Sequence, residues 1–282
     1  MGGTVDEATA RRLWRTLEPC HSMVYFVPEG VEEYAAIGLK GARMGYFASR
    51  AAPMGAVPAE VVTATFFNFH PSVVHRAIPD AWTLATPGDI LAARFRVVDR
   101  ALRRIWGDDV DSPDVREAAE LARTAAAGGS PQGRPLYAGH AALPWPSEPH
   151  LVLWHAVSLL REYRGDGHIA ALVAAGVGPA EALHLHATSG EFPVDLLKLT
   201  RAWPEDEWGA ALARLVDAGL MVADGALTES GSALRQHVED TTDALAMAPW
   251  LHLGAAGCAR LGELGTPLTR AILEGGGFPL PR

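Results

Sequence analysis

The densest group of chemically capable side chains lies in the segment REYRGDGH. It carries Arg161, Glu162, Arg164, Asp166 and His168. The arginines suit an anionic ligand group, while the carboxylates and the histidine suit proton transfer or metal coordination. We therefore predict a polar pocket in which Glu162, Asp166 and His168 are catalytic and in which Arg161 and Arg164 bind the ligand. The alternative is an ion-pair network in which Asp166 caps the start of the next helix.

A second histidine-containing segment reads LHLHATSG. His184 and His186 lie two positions apart, so they would share one face of a strand, as in metal sites, but would face different ways on a helix. Single buried histidines are usually structural, so each histidine alone is a weak signal. We place His186 among the predicted ligand-binding residues.

A third polar segment, EPCHSMVYF, follows the first predicted helix. Its His21 and Tyr25 are also predicted ligand-binding residues. Because the first helix pairs with residues 150–163 in the repeat described below, this segment would face the Arg161 cluster across a pseudo-two-fold axis. The resulting central cavity would hold four residues from the two halves: His21, Glu162, His168 and His186.

Sequence motifs leave the cofactor unknown. The chain contains no HExxH, no CxxC, no Walker A motif, no GxGxxG before a helix and no GxSxG. A haem site needs only one axial histidine and an apolar pocket. The 11 histidines therefore allow a haem cofactor, but no motif indicates one. A divalent metal is open in the same way, and no metal ligands are assigned.

Charge and composition argue against nucleic acid as the default partner. The chain has 282 residues and a formal net charge of -9, whereas nucleic-acid binders concentrate positive charge. The N-terminal residues contain no apolar signal segment, and no run reaches the roughly 18 apolar residues of a membrane span. Two distant cysteines fit a reducing compartment. We expect a soluble cytoplasmic protein without a membrane partner.

The elements that must position these side chains are mostly helical. Apolar residues at helical spacing predict helices over residues 4–17, 31–42, 58–69, 71–82, 89–106, 112–127, 150–163, 167–175, 179–186, 193–200 and 205–218, and a long last helix capped by Thr228. The middle of the chain is rich in Ala, Gly, Ser and Pro, which indicates a connector. We predict an N-terminal unit over 1–107, a linker over 108–149 and a C-terminal domain over 150–282.

The segment WPEDEWGAALARLVDAGLMVADGALTESG (203–231) has the order of a winged helix: a helix, a glycine turn at Gly219, a short hairpin and a second helix cap. A two-stranded wing over 220–227 would turn at Asp224-Gly225, a strong hairpin signal. This order resembles the recognition helix and wing of MarR-type regulators. Its charges do not suit DNA, because the helix opens with three consecutive acidic residues and the wing has no basic residue.

A weak internal repeat indicates a duplication. Leu13-Trp14 matches Leu153-Trp154, and the helix after Asp89 matches the helix after Thr228, with the order kept between them. Chance alignment of Ala-rich helices is the alternative. The predicted fold is mainly α, with tandem winged-helix-like units, a small β wing and a pseudo-two-fold arrangement.

Four segments resemble an uncharacterised family of actinobacterial helix-turn-helix-like proteins. They are EPCHSMVYF, GYFASRAAPMG, LWHAVSLLREYRGDGHIAALVAAG and the winged segment 203–235. The resemblance spans nearly the whole chain. It implies a helix-turn-helix fold with a MarR-like C-terminal half, and it implies no activity.

We predict a small-molecule-binding protein on a winged-helix scaffold that has lost DNA binding, with its pocket between the two halves. Whether it is an enzyme or a homodimer stays open. The alternative is a MarR-like ligand-sensing transcriptional regulator. A third option is a protein-interaction module that turns its acidic helix to a basic partner.

Overall fold

The computed structural model describes residues 4–190 and 193–278. Up to residue 106 these residues form seven α-helices: α1 (Glu7–Ser22), α2 (Glu29–Ala36), α3 (Gly41–Ala51), α4 (Ala59–Phe66), α5 (Pro71–His75), α6 (Asp80–Leu84) and α7 (Pro87–Trp106). The later described helices are α8 (Pro113–Ala127), α9 (Pro135–Ala141), α10 (Pro149–Ala174), α11 (Pro179–Ala187), α12 (Val194–Arg201), α13 (Glu205–Asp217), α14 (Glu229–Leu245) and α15 (Met247–Glu274). The prediction of a mainly helical protein is confirmed.

Helix α10 is the centre of the molecule. It packs against α1, α7, α8, α9 and α14, and it is buried around most of its circumference. Its close neighbour α8 presents a face of small buried residues, such as Ala118, Ala122 and Ala125, which lets the two helix axes approach closely. A residue carried on α10 can therefore meet side chains from both ends of the sequence.

The prediction that one helix ends at Tyr163 and another begins at Gly167 is wrong. Helix α10 continues without a break to Ala174. A glycine inside a helix costs about 1 kcal/mol relative to alanine, and tertiary burial of a helix readily offsets that cost. Gly167 also has a packing role, because a Cβ atom there would lie 2.8 Å from Nη1 of Arg134.

The predicted helix over 179–186 is confirmed, so His184 and His186 lie on α11 and the strand alternative does not apply. Two other local predictions need correction. The predicted helix 31–42 ends at Ala36, because the chain turns through positive φ at Gly38 before α3 begins. The predicted helix 71–82 is divided into α5 and α6, with Pro79 just before α6.

Helices α11, α12 and α13 pack together as one helical part of the chain. Their contact is made by Leu183, Leu197 and Trp208, all at least 94% buried. Helix α12 ends at Arg201, Ala202 adopts the left-handed conformation, and α13 begins at Glu205. A second small core joins this part to the end of α10 and to α14.

The segment after α13 follows the predicted turns but forms no strand within the described residues. Gly219 has a φ of +70° and ends α13 as expected. One antiparallel bridge joins Met221 to Leu227 around the predicted turn. Thr228 caps α14 by accepting a hydrogen bond from the Gly231 amide at 3.0 Å. The β wing, the tandem units and the domain boundaries stay predictions.

No single helix in the described ranges has the length and apolar composition of a membrane span; only the pair α10 and α11, bent by 106°, has them jointly.

Candidate functional site

Glu162 lies at the centre of a buried ion-pair group. Its side chain is fully buried, and Arg50 donates to both carboxylate oxygens, from Nε to Oε1 at 3.2 Å and from Nη2 to Oε2 at 3.1 Å. Nη1 of Arg161 donates to Oε2 at 2.7 Å. Burial alone would raise the pKa of Glu162, but Arg161 and Arg50 outweigh it and hold the pKa well below its usual value. Glu162 is therefore an ionised acceptor shared by two guanidinium groups.

Residues spaced four apart on α10 present their side chains to this region. Trp154, Ser158 and Glu162 occupy successive turns of one face of α10. Helix α3 places Arg50 opposite them, with its guanidinium carbon 4.4 Å from the centre of the Phe66 ring. Packing of α10 between α1 and α7 thus brings three sequence-distant elements to one point.

His21 takes part in a hydrogen-bond chain whose directions can be assigned. Oγ of Ser158 donates its single proton to the Trp154 carbonyl at 2.8 Å, so Nδ1–H of His21 must donate to Ser158 at 2.8 Å. Nε2 of His21 then accepts from the Tyr25 hydroxyl at 3.1 Å. Burial, together with the charge of Arg161, lowers the pKa of His21 well below its usual value. His21 is therefore neutral, with its proton on Nδ1.

Arg94 extends this chain and lacks an acidic partner. It is 1% exposed, and it donates to the Tyr25 hydroxyl at 3.0 Å and to the Ser49 carbonyl at 3.1 Å. It also donates to Nε2 of His140 at 3.1 Å, because Nδ1–H of His140 donates to the Leu136 carbonyl. Burial, followed by the charge of Arg94, lowers the pKa of His140 to about 3. Nε of Arg94 is buried without a partner.

We name these connected residues the polar centre: His21, Tyr25, Arg50, Arg94, His140, Ser158, Arg161 and Glu162. Four of them were predicted from the sequence, namely His21, Tyr25, Arg161 and Glu162, and the structure brings these four together. The other four were missed. Arg94 had a signal, because it lies four residues after Ile90 and four before Val98 on the buried face of α7. Arg50 lies within GYFASRAAPMG, one of the segments that carried the resemblance.

The remaining predicted residues lie in other surroundings. Nδ1–H of His168 donates to Oγ1 of Thr242 at 2.9 Å, since that hydroxyl donates to the Val238 carbonyl. Arg164 pairs with Asp243 at 2.7 Å. Burial lowers the pKa of His168, and His186 is near enough to contribute to that shift. His168 and Arg164 thus form a second group against α14, with His186 near His168.

Asp166 caps a helix, although not the one that was predicted. Its Oδ2 accepts a hydrogen bond from the backbone amide of Tyr137 at 2.9 Å. Tyr137 lies in the first turn of α9, not in a helix following Asp166. Burial raises the pKa of Asp166 to about 6, and the Tyr137 hydrogen bond offsets part of that effect.

Two surface recesses lie near α1. A narrow crevice beside Glu18, Arg161 and Arg164 has a volume of about 10 Å³, enough for one water molecule. A groove of about 360 Å³ lies between α1 and α15 and is lined by threonines and small residues. No cluster of three or more His, Cys, Asp or Glu side chains suited to a metal ion occurs within residues 4–190 and 193–278.

The outer surface of α13 is acidic. Glu205, Asp206 and Glu207 are exposed at its start, where the helix dipole favours negative charge. Glu205 pairs with Lys198 at 2.7 Å, and Glu207 approaches His70 at 3.2 Å. Acidic side chains in this position repel DNA phosphates.

The fold and its buried centre define a mainly helical protein. The chain belongs to the Helix-turn-helix family, whose profile matches residues 10–279. Searches of curated proteins and of solved structures gave no match. The family membership supports a scaffold of the DNA-binding type and assigns no ligand or reaction.

Proposed function

We propose that this protein binds a small molecule at the polar centre, between its N-terminal and C-terminal halves. In this proposal α11 to α14 serve as a winged-helix scaffold that no longer binds DNA. His21, Tyr25, Arg161 and Glu162 face the ligand, as the sequence predicted. His168 and His186 lie outside the polar centre and contact another part of the ligand.

The observation that carries the proposal is that Arg94 is buried without a carboxylate to neutralise its charge. A buried guanidinium group is costly unless a carboxylate neutralises it. In the described chain no carboxylate forms an ion pair with Arg94. Its hydrogen-bond partners are a carbonyl, a hydroxyl and a neutral imidazole, and its guanidinium carbon lies 5.0 Å from the centre of the Trp154 ring. A stability-driven core would replace such a residue with an apolar one at little cost, so its presence favours a binding role.

The acidic start of α13 supports the loss of DNA binding. Binding through counterion release needs several basic contacts to phosphate. Arg214 is the one basic residue of α13, and it is paired with Glu181 at 2.6 Å. The regulator alternative would need another basic surface, and a gel-retardation experiment with duplex DNA tests it.

Isothermal titration calorimetry with a defined panel tests the proposal. The panel contains a neutral polyol, an aromatic amine, a carboxylate series and a phosphate monoester series, all at equal ionic strength. We expect at least one class to bind saturably, with affinity reduced at least tenfold by Tyr25→Phe. Tyr163→Phe is the matched control, because Tyr163 packs against Tyr137 and Arg134 outside the polar centre. If no class binds, or if both variants behave alike, the proposal is wrong.

A further inference from the structure

Arg201, on α12, is a second arginine with no carboxylate partner among the described residues. It is the last residue of α12, and its backbone carbonyl accepts from the His70 amide at 2.9 Å. Its guanidinium carbon lies 4.5 Å from the centre of the Phe69 ring. Nη1 donates to Oγ1 of Thr200, while Nε is buried with no partner. Within the described ranges no carboxylate forms an ion pair with Arg201.

Arg50 and Arg201 rest on the same group of aromatic rings. The Phe66 ring under Arg50 and the Phe69 ring under Arg201 have centres 6.4 Å apart. Tyr46 packs against both rings, and its hydroxyl accepts from Nη1 of Arg50 at 3.3 Å. Both guanidinium groups therefore stack on neighbouring rings, and of the two only Arg50 also has a carboxylate partner, Glu162.

Positive charge exceeds negative charge at this point. Burial lowers the pKa of Arg201, and the nearby charges of Arg50 and Arg161 lower it further. Arg50 and Arg161 already share the single carboxylate of Glu162. Glu18 approaches Nε of Arg161 only at 3.9 Å. Even with Glu18 ionised, the three guanidinium groups outnumber the carboxylates.

We infer that Arg50, Arg161 and Arg201 form the binding site for an oxyanion group, a carboxylate or a phosphate, carried by the ligand of the polar centre. This inference rests on the proposed function and specifies the class of its ligand. Arginine forks match both oxyanions, and an added negative charge would relieve the repulsion among the three side chains. Tyr46 and Arg201 are partly exposed, and the Arg161 side chain is 26% exposed, so the site is open to solvent.

The test uses inorganic phosphate and malonate as probes on the full chain, with sodium chloride at matched ionic strength as the reference. We expect phosphate or malonate to raise the melting temperature and to bind saturably in calorimetry. Arg201→Gln should weaken that binding at least tenfold, while Arg270→Gln, a change of an exposed arginine on α15, should leave it unchanged. Comparison of the two probes distinguishes a phosphate site from a carboxylate site.

A second readout separates a binding role from a structural one. Without anion, Arg201→Gln should melt no lower than the native chain, because the change removes an unpaired buried charge. If Arg201→Gln fails to fold, Arg201→Lys keeps the charge, loses the fork, and should still weaken anion binding. Equal anion binding by the native chain and a folded Arg201 variant would overturn the inference.

The calorimetric panel of polyol, amine, carboxylates and phosphate monoesters distinguishes the oxyanion site from the proposed function. If a neutral or cationic compound binds in a Tyr25-dependent way and neither anion binds, the proposed function stands and the oxyanion site is wrong. If no compound and no anion binds, both proposals fail.

Discussion

Glu162 accepts two hydrogen bonds from Arg50, a residue 112 positions earlier in the chain. The pair joins α10 to α3 in the interior, since Glu162 is fully buried and the Arg50 side chain is 8% exposed. Arg161 adds a third hydrogen bond to the same carboxylate. The carboxylate thus holds two cationic side chains in place, and the consequences of its removal can be measured.

Glu162→Gln should destabilise the fold strongly. The substitution leaves the buried Arg50 without a negative partner, and breaking a buried ion pair costs about 3–5 kcal/mol. Urea denaturation at pH 7 measures the change in the free energy of unfolding. Glu117→Gln is the control, because Glu117 pairs with Arg260 on the surface and such pairs contribute about 0–1 kcal/mol. Similar losses in both variants would contradict a central role for Glu162.

Two glycines on α10 should respond in opposite directions to alanine. At Gly165 a Cβ atom would meet its nearest neighbour at 3.5 Å, an ordinary contact, so Gly165→Ala should stabilise the helix by up to about 1 kcal/mol. At Gly167 the Cβ would lie 2.8 Å from Arg134 and 3.3 Å from Leu245, so Gly167→Ala should destabilise the protein. Thermal unfolding of both variants checks the pair. Equal shifts would contradict the close approach at Gly167.

His155→Phe should reduce the sensitivity of the protein to acid. His155 is 1% exposed, both of its ring nitrogens lack partners, and its ring packs against Phe95 and Trp145. Burial, and then the charge of Arg94, lowers its pKa from 6.5 to about 4. The unfolded chain therefore takes up a proton near pH 6.5 that the folded chain refuses until about pH 4.

The stability that His155 contributes is present above pH 6.5 and is lost as the pH falls towards 4. Removal of the imidazole should flatten the pH dependence of the unfolding free energy by about 1.4 kcal/mol per pH unit in that interval. Denaturant melts at pH 7, 6 and 5 measure the slope. A slope equal to that of the native chain would show that His155 is protonated in the folded state.

The native chain should not retard a DNA duplex in a gel at low salt, where electrostatic binding is strongest. Replacement of Glu205, Asp206 and Glu207 by lysine should create weak, salt-sensitive and sequence-independent binding if α13 is positioned like a recognition helix. Retardation of duplexes by the native chain would favour the regulator alternative. Failure of the triple variant to bind would show that α13 cannot approach a groove.

The sequence was most informative where one short segment held the chemistry. Arg161 and Glu162 stood out because they are adjacent on an otherwise apolar stretch, and His21 and Tyr25 because they follow a clear helix. Their spatial neighbours Arg50 and Arg94 could not be found in this way, since each lies on a separate helix that carries other arginines as well. Only packing of α3 and α7 against α10 brings them together, and local patterns do not report such packing.

Glycine was the main source of error in the secondary structure. Gly165 and Gly167 indicated a turn, but burial of α10 on nearly all sides stabilises it as one continuous helix. The same residue type did mark the end of α13 at Gly219, where φ is +70°. The difference is whether surrounding side chains bury the helix on both sides of the glycine. Local sequence patterns do not predict this burial.

The position of Glu162 late in the chain also bears on the order in which the protein can fold during synthesis. Arg50 and Arg94 leave the ribosome before α10 has been made, so the earlier helices cannot yet bury them against Glu162, Ser158 or Trp154. The nascent N-terminal half must hold Arg50 without its carboxylate partner until α10 arrives. A truncation before residue 149 should therefore expose apolar surface of α3 and α7 to chaperones, which makes completion of α10 the step that commits the chain to its native core.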